Sequence, residues 1–181
     1  CLVTLVPQSA GDLLYLPTVA AECAQADEES DVPAGTTAAT LSRLGVEVPP
    51  DRHPRDLSEG QRLALVLAIQ LATEPKVLLL DEPTRGLDYA MKAQLATIVR
   101  RLGDDGTCVV ISTHDVEFAA AATERTIIMA DAEIVADGPT RTVLTSSPAF
   151  SPQMAKVFHP HPLLSPAEVV RLPVASLGGL A

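Results

Sequence analysis

The chain has 181 residues, 47% of them hydrophobic, and a formal net charge of -10. That is enough for one ordinary domain with a real core, and length alone does not suggest two. An acidic chain with only 3% aromatic residues lacks the basic stripe and stacking rings of a nucleic-acid surface, so any phosphate ligand must be held by local groups.

Residues 1–6 (CLVTLV) read as a short strand closed by Pro7, which leaves Gln8 at a strand end. Gly11-Asp12 punctuates the chain, an apolar patch follows at Leu13, Leu14, Tyr15 and Leu16, and Thr18 caps a helix to about Ala26. The acidic run from Asp27 to Asp31 reads as a solvated linker, with Asp31 and Pro33 opening a second helix to about Leu44. Pro and Asp pairs between Gly45 and Asp56 mark a loop, after which Ser58 opens a strongly apolar helix to about Thr73. Its apolar stretch, Leu63 to Ala72, contains Gln70 and falls well short of the ~20 residues of a membrane helix. The front of the chain has no basic-then-apolar leader, and it opens on Cys1 inside an apolar run, so a piece of something longer is expected. Cys1, Cys23 and Cys108 lie far apart with no metal-ligand spacing, the pattern of reduced structural thiols in a cytosolic compartment.

The organising stretch is Val77-Leu78-Leu79-Leu80-Asp81-Glu82-Pro83. Four apolar residues closed by two carboxylates predict a strand buried on both faces that surfaces at its C-terminal end, where ligands of open parallel sheets collect. A helix over 89–102 follows with Asp88 as its N-cap, and Arg100-Arg101 near its end suits the helix dipole. A second buried strand is expected over 108–112, delivering Thr113-His114-Asp115 to the same edge before a helix over 116–122. Residues 126–129 and 133–135 read as a hairpin, and short helices are expected over 139–145, 151–158 and 165–172, the last opened by a capping box.

Two groups of residues point to chemistry. Asp81 and Glu82, as neighbours on a strand, are expected to point to opposite sides of the pleat, so that one holds a metal while the other faces a reacting water. Phosphoryl transfer asks for both. In Leu57-Ser58-Glu59-Gly60-Gln61, the Ser58/Gln61 pair is a helix-start capping box. The same serine, side-chain-free glycine and unpaired first-turn N–H groups also make an anion site.

Together with Gly86-Leu87-Asp88 and Ser112-Thr113-His114-Asp115, these pieces stand in the order of the ATP-binding cassette family, which the chain resembles over nearly its whole length. The resemblance implies an α/β fold with a P-loop NTPase-like parallel sheet core, an inserted helical subdomain and a small C-terminal helical extension. The division implied is residues 1–138 for a partial cassette (helical subdomain about 12–60, catalytic core 61–138) and 139–181 for the extension. It also implies ATP and Mg2+ as ligands. Gln8 would be the Q-loop residue at the metal and the lytic water, Asp81 the metal partner and Glu82 the general base. Ser58, Gly60 and Gln61 belong to the signature that clamps ATP of a facing cassette, Asp88 would cross the dimer interface, and His114 would touch the terminal phosphate. Glu59 stands where glycine is commonest in that signature.

No G-x-x-x-x-G-K-[ST] loop occurs, since none of Lys76, Lys92 and Lys156 follows a glycine. The core is therefore expected to be truncated, and the chain alone to hydrolyse no ATP. A narrower likeness, carried by residues 7–15 and by Phe150-Ser151-Pro152-Gln153, Pro162-Leu163-Leu164 and Ala167-Glu168-Val169, is to energy-coupling factor importers of vitamins and metal ions. That implies an ATPase on the cytoplasmic face of the membrane, paired with a second cassette, a transmembrane coupling subunit and a substrate-binding membrane subunit. The apolar patch 13–16 reads either as the docking point for the membrane partner or as packing against its own subdomain. Two other functions remain open: a non-transport cassette ATPase of DNA repair or translation, and an inactive cassette offering only its signature face.

Overall fold

Three parallel strands, β1 (Val3–Val6), β2 (Val77–Asp81) and β3 (Cys108–Ser112), form a sheet in the order β1-β2-β3. Val6 lies opposite Leu80 and Asp81 opposite Ser112, so all three C-terminal ends reach one edge. The computed structural model describes residues 3–158, 161, 163–165, 168 and 170. The chain divides into two units, Cys1–Thr113 and His114–Ala181, described here separately.

In the first unit, helices α1 (Val19–Glu29), α2 (Thr36–Arg43) and α3 (Glu59–Leu71) connect β1 to β2, and α4 (Tyr89–Asp104) connects β2 to β3. The expected strand burial on both faces is not what the structure shows. Thr4, Val6, Leu78 and Leu80 are buried on one face, while Val3, Leu5 and Val110 on the other are each about half exposed. Cys108, also expected in a buried strand, is exposed. The apolar run of β2 thus alternates in burial rather than vanishing into the interior.

The helical part has its own core, in which Val19, Cys23, Leu41, Leu57, Ala64, Leu65 and Ala68 pack together. Helix α3 is buried nearly all round from Leu63 to Ala68, which accounts for its continuous apolar sequence. Thr18 caps α1 by accepting from the Ala21 N–H at 3.1 Å. The helix then runs through Glu29, and the acidic run is no solvated linker. Asp27 is buried, and its carboxylate accepts from the N–H groups of Gly35 at 2.6 Å and Thr37 at 2.8 Å. It thereby caps α2 from the preceding helix. Asp31, expected in that role, instead occupies a left-handed turn at φ 53, and the N-cap position falls to Gly35 at φ 90. Burial opposes the charge on Asp27, but the hydrogen bonds from Thr37, Gly35 and Thr36 outweigh it and hold the carboxyl below its ordinary range. Beside it, burial first, and then the Asp27 and Glu22 charges, push the Cys23 thiol up to about 11, so this cysteine is an inert core residue.

The second unit begins with α5 (Val116–Ala122), whose cap Asp115 accepts from the Phe118 N–H at 3.0 Å. Strands β4 (Arg125–Ala130) and β5 (Glu133–Pro139) then pair antiparallel, as the sequence predicts, with an irregularity between Ile128 and Met129. Their two-residue turn, Asp131-Ala132, has φ 49 and 63, the type I′ geometry that matches strand twist and favours glycine at its second position. Ala132→Gly is expected to stabilise the protein by about 1 kcal/mol, read as a raised thermal midpoint.

Helices α6 (Thr140–Thr145) and α7 (Gln153–Val157) follow, and Glu117 of α5 accepts from the Gln153 N–H at 2.5 Å. Arg141 pairs with Glu168 at 2.5 Å, and the same carboxylate accepts from the Leu164 N–H, which pins the segment after α7 onto α6. The helix expected over 165–172 falls largely outside the described residues. Among the described residues, no helix is long and apolar enough to cross a membrane.

Candidate functional site

The C-terminal edge of the sheet collects the acidic residues. Strand β2 stops at Asp81, which is exposed, and Glu82 turns away at φ 45. The expectation that the two carboxylates alternate on a pleat is therefore corrected: Glu82 is a turn residue, and its orientation comes from a left-handed backbone. Such a conformation is costly for a residue with a side chain and persists only where surrounding bonds hold it. Here the Glu82 N–H donates to the Ser112 carbonyl at 2.8 Å, the Arg85 N–H donates to the Glu82 carbonyl at 3.2 Å, and the Thr113 hydroxyl lies 3.4 Å from Glu82 Oε2. Gln8, exposed, emerges two residues beyond Val6, and so at the same edge as Asp81 and Glu82. His114 is the second residue past β3 and the first of the second unit.

Gln8, Asp81 and Glu82 offer oxygen donors only, the set that suits a hard cation such as Mg2+. Among the described residues no group of three or more His, Cys, Asp or Glu is placed to hold a metal.

The Ser58 turn lies in the same unit. Its capping box is complete: Ser58 Oγ accepts from the Gln61 N–H at 3.3 Å, and Gln61 Oε1 accepts from the Ser58 N–H at 3.1 Å. Gln61 Nε2 also donates to the Glu47 carbonyl at 2.8 Å, which ties the side chain to the preceding loop. Ser58 and Glu59 remain exposed, whereas Gly60 is buried. The space where a side chain on Gly60 would point is filled by Met91 of α4. Asp88 caps α4 through the Met91 N–H at 2.8 Å, and Met91 brings the start of α4 against the start of α3. Gly86, at φ 74, lies against the side chain of Glu59. The sequence marked Ser58, Gly60, Gln61 and Asp88 but not Met91, whose role depends on a contact between segments about thirty residues apart and has no local signature.

The leucine patch is less free than its sequence suggests. Leu14 packs against the helical core, and the Leu16 N–H donates to the buried carboxylate of Glu22 at 2.6 Å. Tyr15 alone of the four stands well out, 70% exposed.

Residues 35–120 match the family described as "AAA domain, putative AbiEii toxin, Type IV TA system". A "Putative ABC transporter ATP-binding protein" of Streptomyces coelicolor is 53% identical over 167 residues, 92% of this chain and 30% of that protein. One of Methanopyrus kandleri is 34% identical over 148 residues, 79% of this chain and 55% of its own length. The chain thus spans roughly a third to a half of these curated relatives. Among solved structures, cbiO1 from Clostridium perfringens, described as part of the ABC transporter complex cbiONQ, superposes with a TM-score of 0.75 at 22% identity. The match covers 98% of this chain and 66% of that one. A dimeric ATP-binding cassette in a post-hydrolysis state with ADP and Pi gives 0.66 at 24% identity, covering 77% and 63%. At such identities the structures speak for the fold, the P-loop NTPase-like α/β core with parallel strands and helices. Taken with the sequence relatives, they lead to one conclusion: this chain is a homologue of ABC transporter ATP-binding proteins and has the fold of their cassette.

Proposed function

We propose that the chain carries part of the ATP-hydrolysing machinery of an ABC importer of the energy-coupling type, serving vitamin or metal-ion uptake. The observation that supports this most is the convergence of Gln8, Asp81, Glu82 and Thr113 at one edge of a parallel sheet, with the Ser58 turn capped in the same unit. Bound magnesium-ATP would supply the phosphoryl group. Asp81 and Gln8 would hold the cation through oxygen donors, and Glu82 would accept a proton from the attacking water. His114 would be the residue that touches the terminal phosphate, a role that rests on the family resemblance. Ser58, Gly60 and Gln61 would present a helix N-terminus to the nucleotide of a facing cassette, and Asp88 would meet that cassette at the interface. The phosphate cradle of glycine-rich backbone and its lysine are not encoded in these 181 residues, so turnover is assigned to the full-length protein.

The importer reading takes its support from the likeness to cbiO1 and from the sequence of the segment after α7. Its partners are a second cassette, a transmembrane coupling subunit and a substrate-binding membrane subunit, with the ATPase held peripherally at the cytoplasmic face. The exposed ring of Tyr15 is the docking point on this chain, since Leu14 is engaged in its own core. In full-length protein reconstituted with its membrane subunits, Tyr15→Glu is expected to abolish uptake while ATP turnover in detergent persists. Uptake at the wild-type rate would exclude Tyr15 as the contact, and an ATP-independent uptake would overturn the importer reading itself.

A further inference from the structure

Two turns of the first unit hold each other by reciprocal contacts. An alanine at Gly60 would drive its Cβ into Met91 Cε and within 3.2 Å of Met91 Cγ and 3.3 Å of Sδ. An alanine at Gly86 would come within 3.1 Å of Glu59 Cγ and 3.6 Å of Glu59 Cβ. Each turn therefore contributes one glycine as a socket and one side chain as the piece that fills the other's socket. The arrangement is tightened at both ends. Asp88 caps the Met91 N–H at 2.8 Å, which fixes the first turn of α4 from which Met91 reaches out. Glu59 pairs with Arg62, whose guanidinium also donates to the carbonyls of Pro54 at 3.2 Å and Arg55 at 3.1 Å. Glu59 is the residue that departs from the glycine usual at this point of the family signature, and its stem is what covers Gly86.

We propose that Met91 and Glu59 are positioning residues that make the Ser58 turn and the Gly86–Asp88 turn one rigid piece. Any displacement of Asp88 is then carried to Ser58 within the same chain. The glycine at 60 serves this internal packing by giving Met91 room. As to purpose, the proposal rests on the reading of Ser58 as a nucleotide contact, but the coupling itself is a property of the chain without ligand and is tested without one.

Amide hydrogen exchange and NMR chemical shifts on this chain provide the test. Met91→Ala is expected to speed exchange at both 61–62 and 86–91 by about tenfold or more, with the thermal midpoint and the exchange of the buried Leu65–Leu67 segment little changed. Met91→Leu, which conserves volume, should restore protection in both turns. Glu59→Gln keeps the stem and should leave residues 86–88 protected, whereas Glu59→Gly should loosen them. Gly60→Ala should shift the resonances of 86–91, and adding Met91→Ala should bring them back toward wild type. Where the alanine variant at 91 proves too unstable to study, the Glu59 pair carries the same decision. Loosening confined to the mutated turn, with the other turn unchanged, overturns the proposal, and so does equal protection of 86–88 in Glu59→Gln and Glu59→Gly. Neither result would touch the assignment of Asp81 and Glu82.

Discussion

Asp27→Ala is expected to destabilise the protein by about 2–4 kcal/mol, because it strands the N–H groups of Gly35 and Thr37 that the carboxylate now satisfies in a buried setting. The helix that loses its cap, α2, lines the helical core through Leu41, so the damage reaches packing as well as hydrogen bonding. Asp27→Asn should fall between the two, since an amide oxygen can accept only one of these bonds well and its NH2 group faces a donor. The pH dependence has a definite sign. The folded-state carboxyl is held below its ordinary 3.8, so the stability it contributes is fully present above that value and is lost as the pH falls through the lower, folded one. Urea unfolding followed from neutral pH downward should therefore show a steeper acid loss in the wild type than in Asp27→Asn. Parallel acid limbs in the two proteins would mean that Asp27 carries no extra charge-stabilising interaction in the folded state.

Glu82→Gln in the full-length protein is expected to lower ATP turnover by about 10²- to 10⁴-fold while nucleotide binding persists, the loss that follows removal of a general base. Glutamine keeps the length of the side chain and the backbone bonds at φ 45, so the turn itself should survive. Trapped nucleotide should hold two cassettes together, visible by gel filtration in Mg-ATP as a shift to twice the mass. Turnover near the wild-type rate would pass the proton-accepting role to another group. The strained backbone gives a separate check: Glu82→Gly relieves the strain and removes the carboxylate, and is expected to raise stability while still abolishing turnover.

What the sequence revealed here follows from the range of the interactions involved. Caps made three residues ahead were legible, and Thr18, Ser58 and Asp88 all accept the N–H that their spacing predicts. The hairpin and the parallel strands were legible because short apolar runs bounded by turn residues are local signals. Asp27 was hidden: it caps a helix whose first N–H groups lie eight and ten residues ahead, and in the sequence it looks like any member of an acidic run. The turn at Glu82 was hidden too, because an αL backbone at a glutamate is imposed by the β3 carbonyl of Ser112 rather than chosen by the residue. Burial of the sheet was misjudged for a different reason. An apolar strand announces that it prefers cover on both sides, but whether cover exists depends on other segments of chain. At the candidate site, the family resemblance named Gln8, Asp81, Glu82 and the Ser58 turn, while Met91 and the packing of Glu59 on Gly86 became visible only through tertiary contacts.

The most direct measurement replaces Mg2+ by Mn2+ in the full-length protein with ATP and maps paramagnetic broadening across the amide spectrum. Broadening centred on Gln8, Asp81 and Glu82, with the α1–α2 side of the helical core unaffected, is the result the account predicts. Broadening centred anywhere else, with the edge of β1, β2 and β3 left sharp, would contradict it.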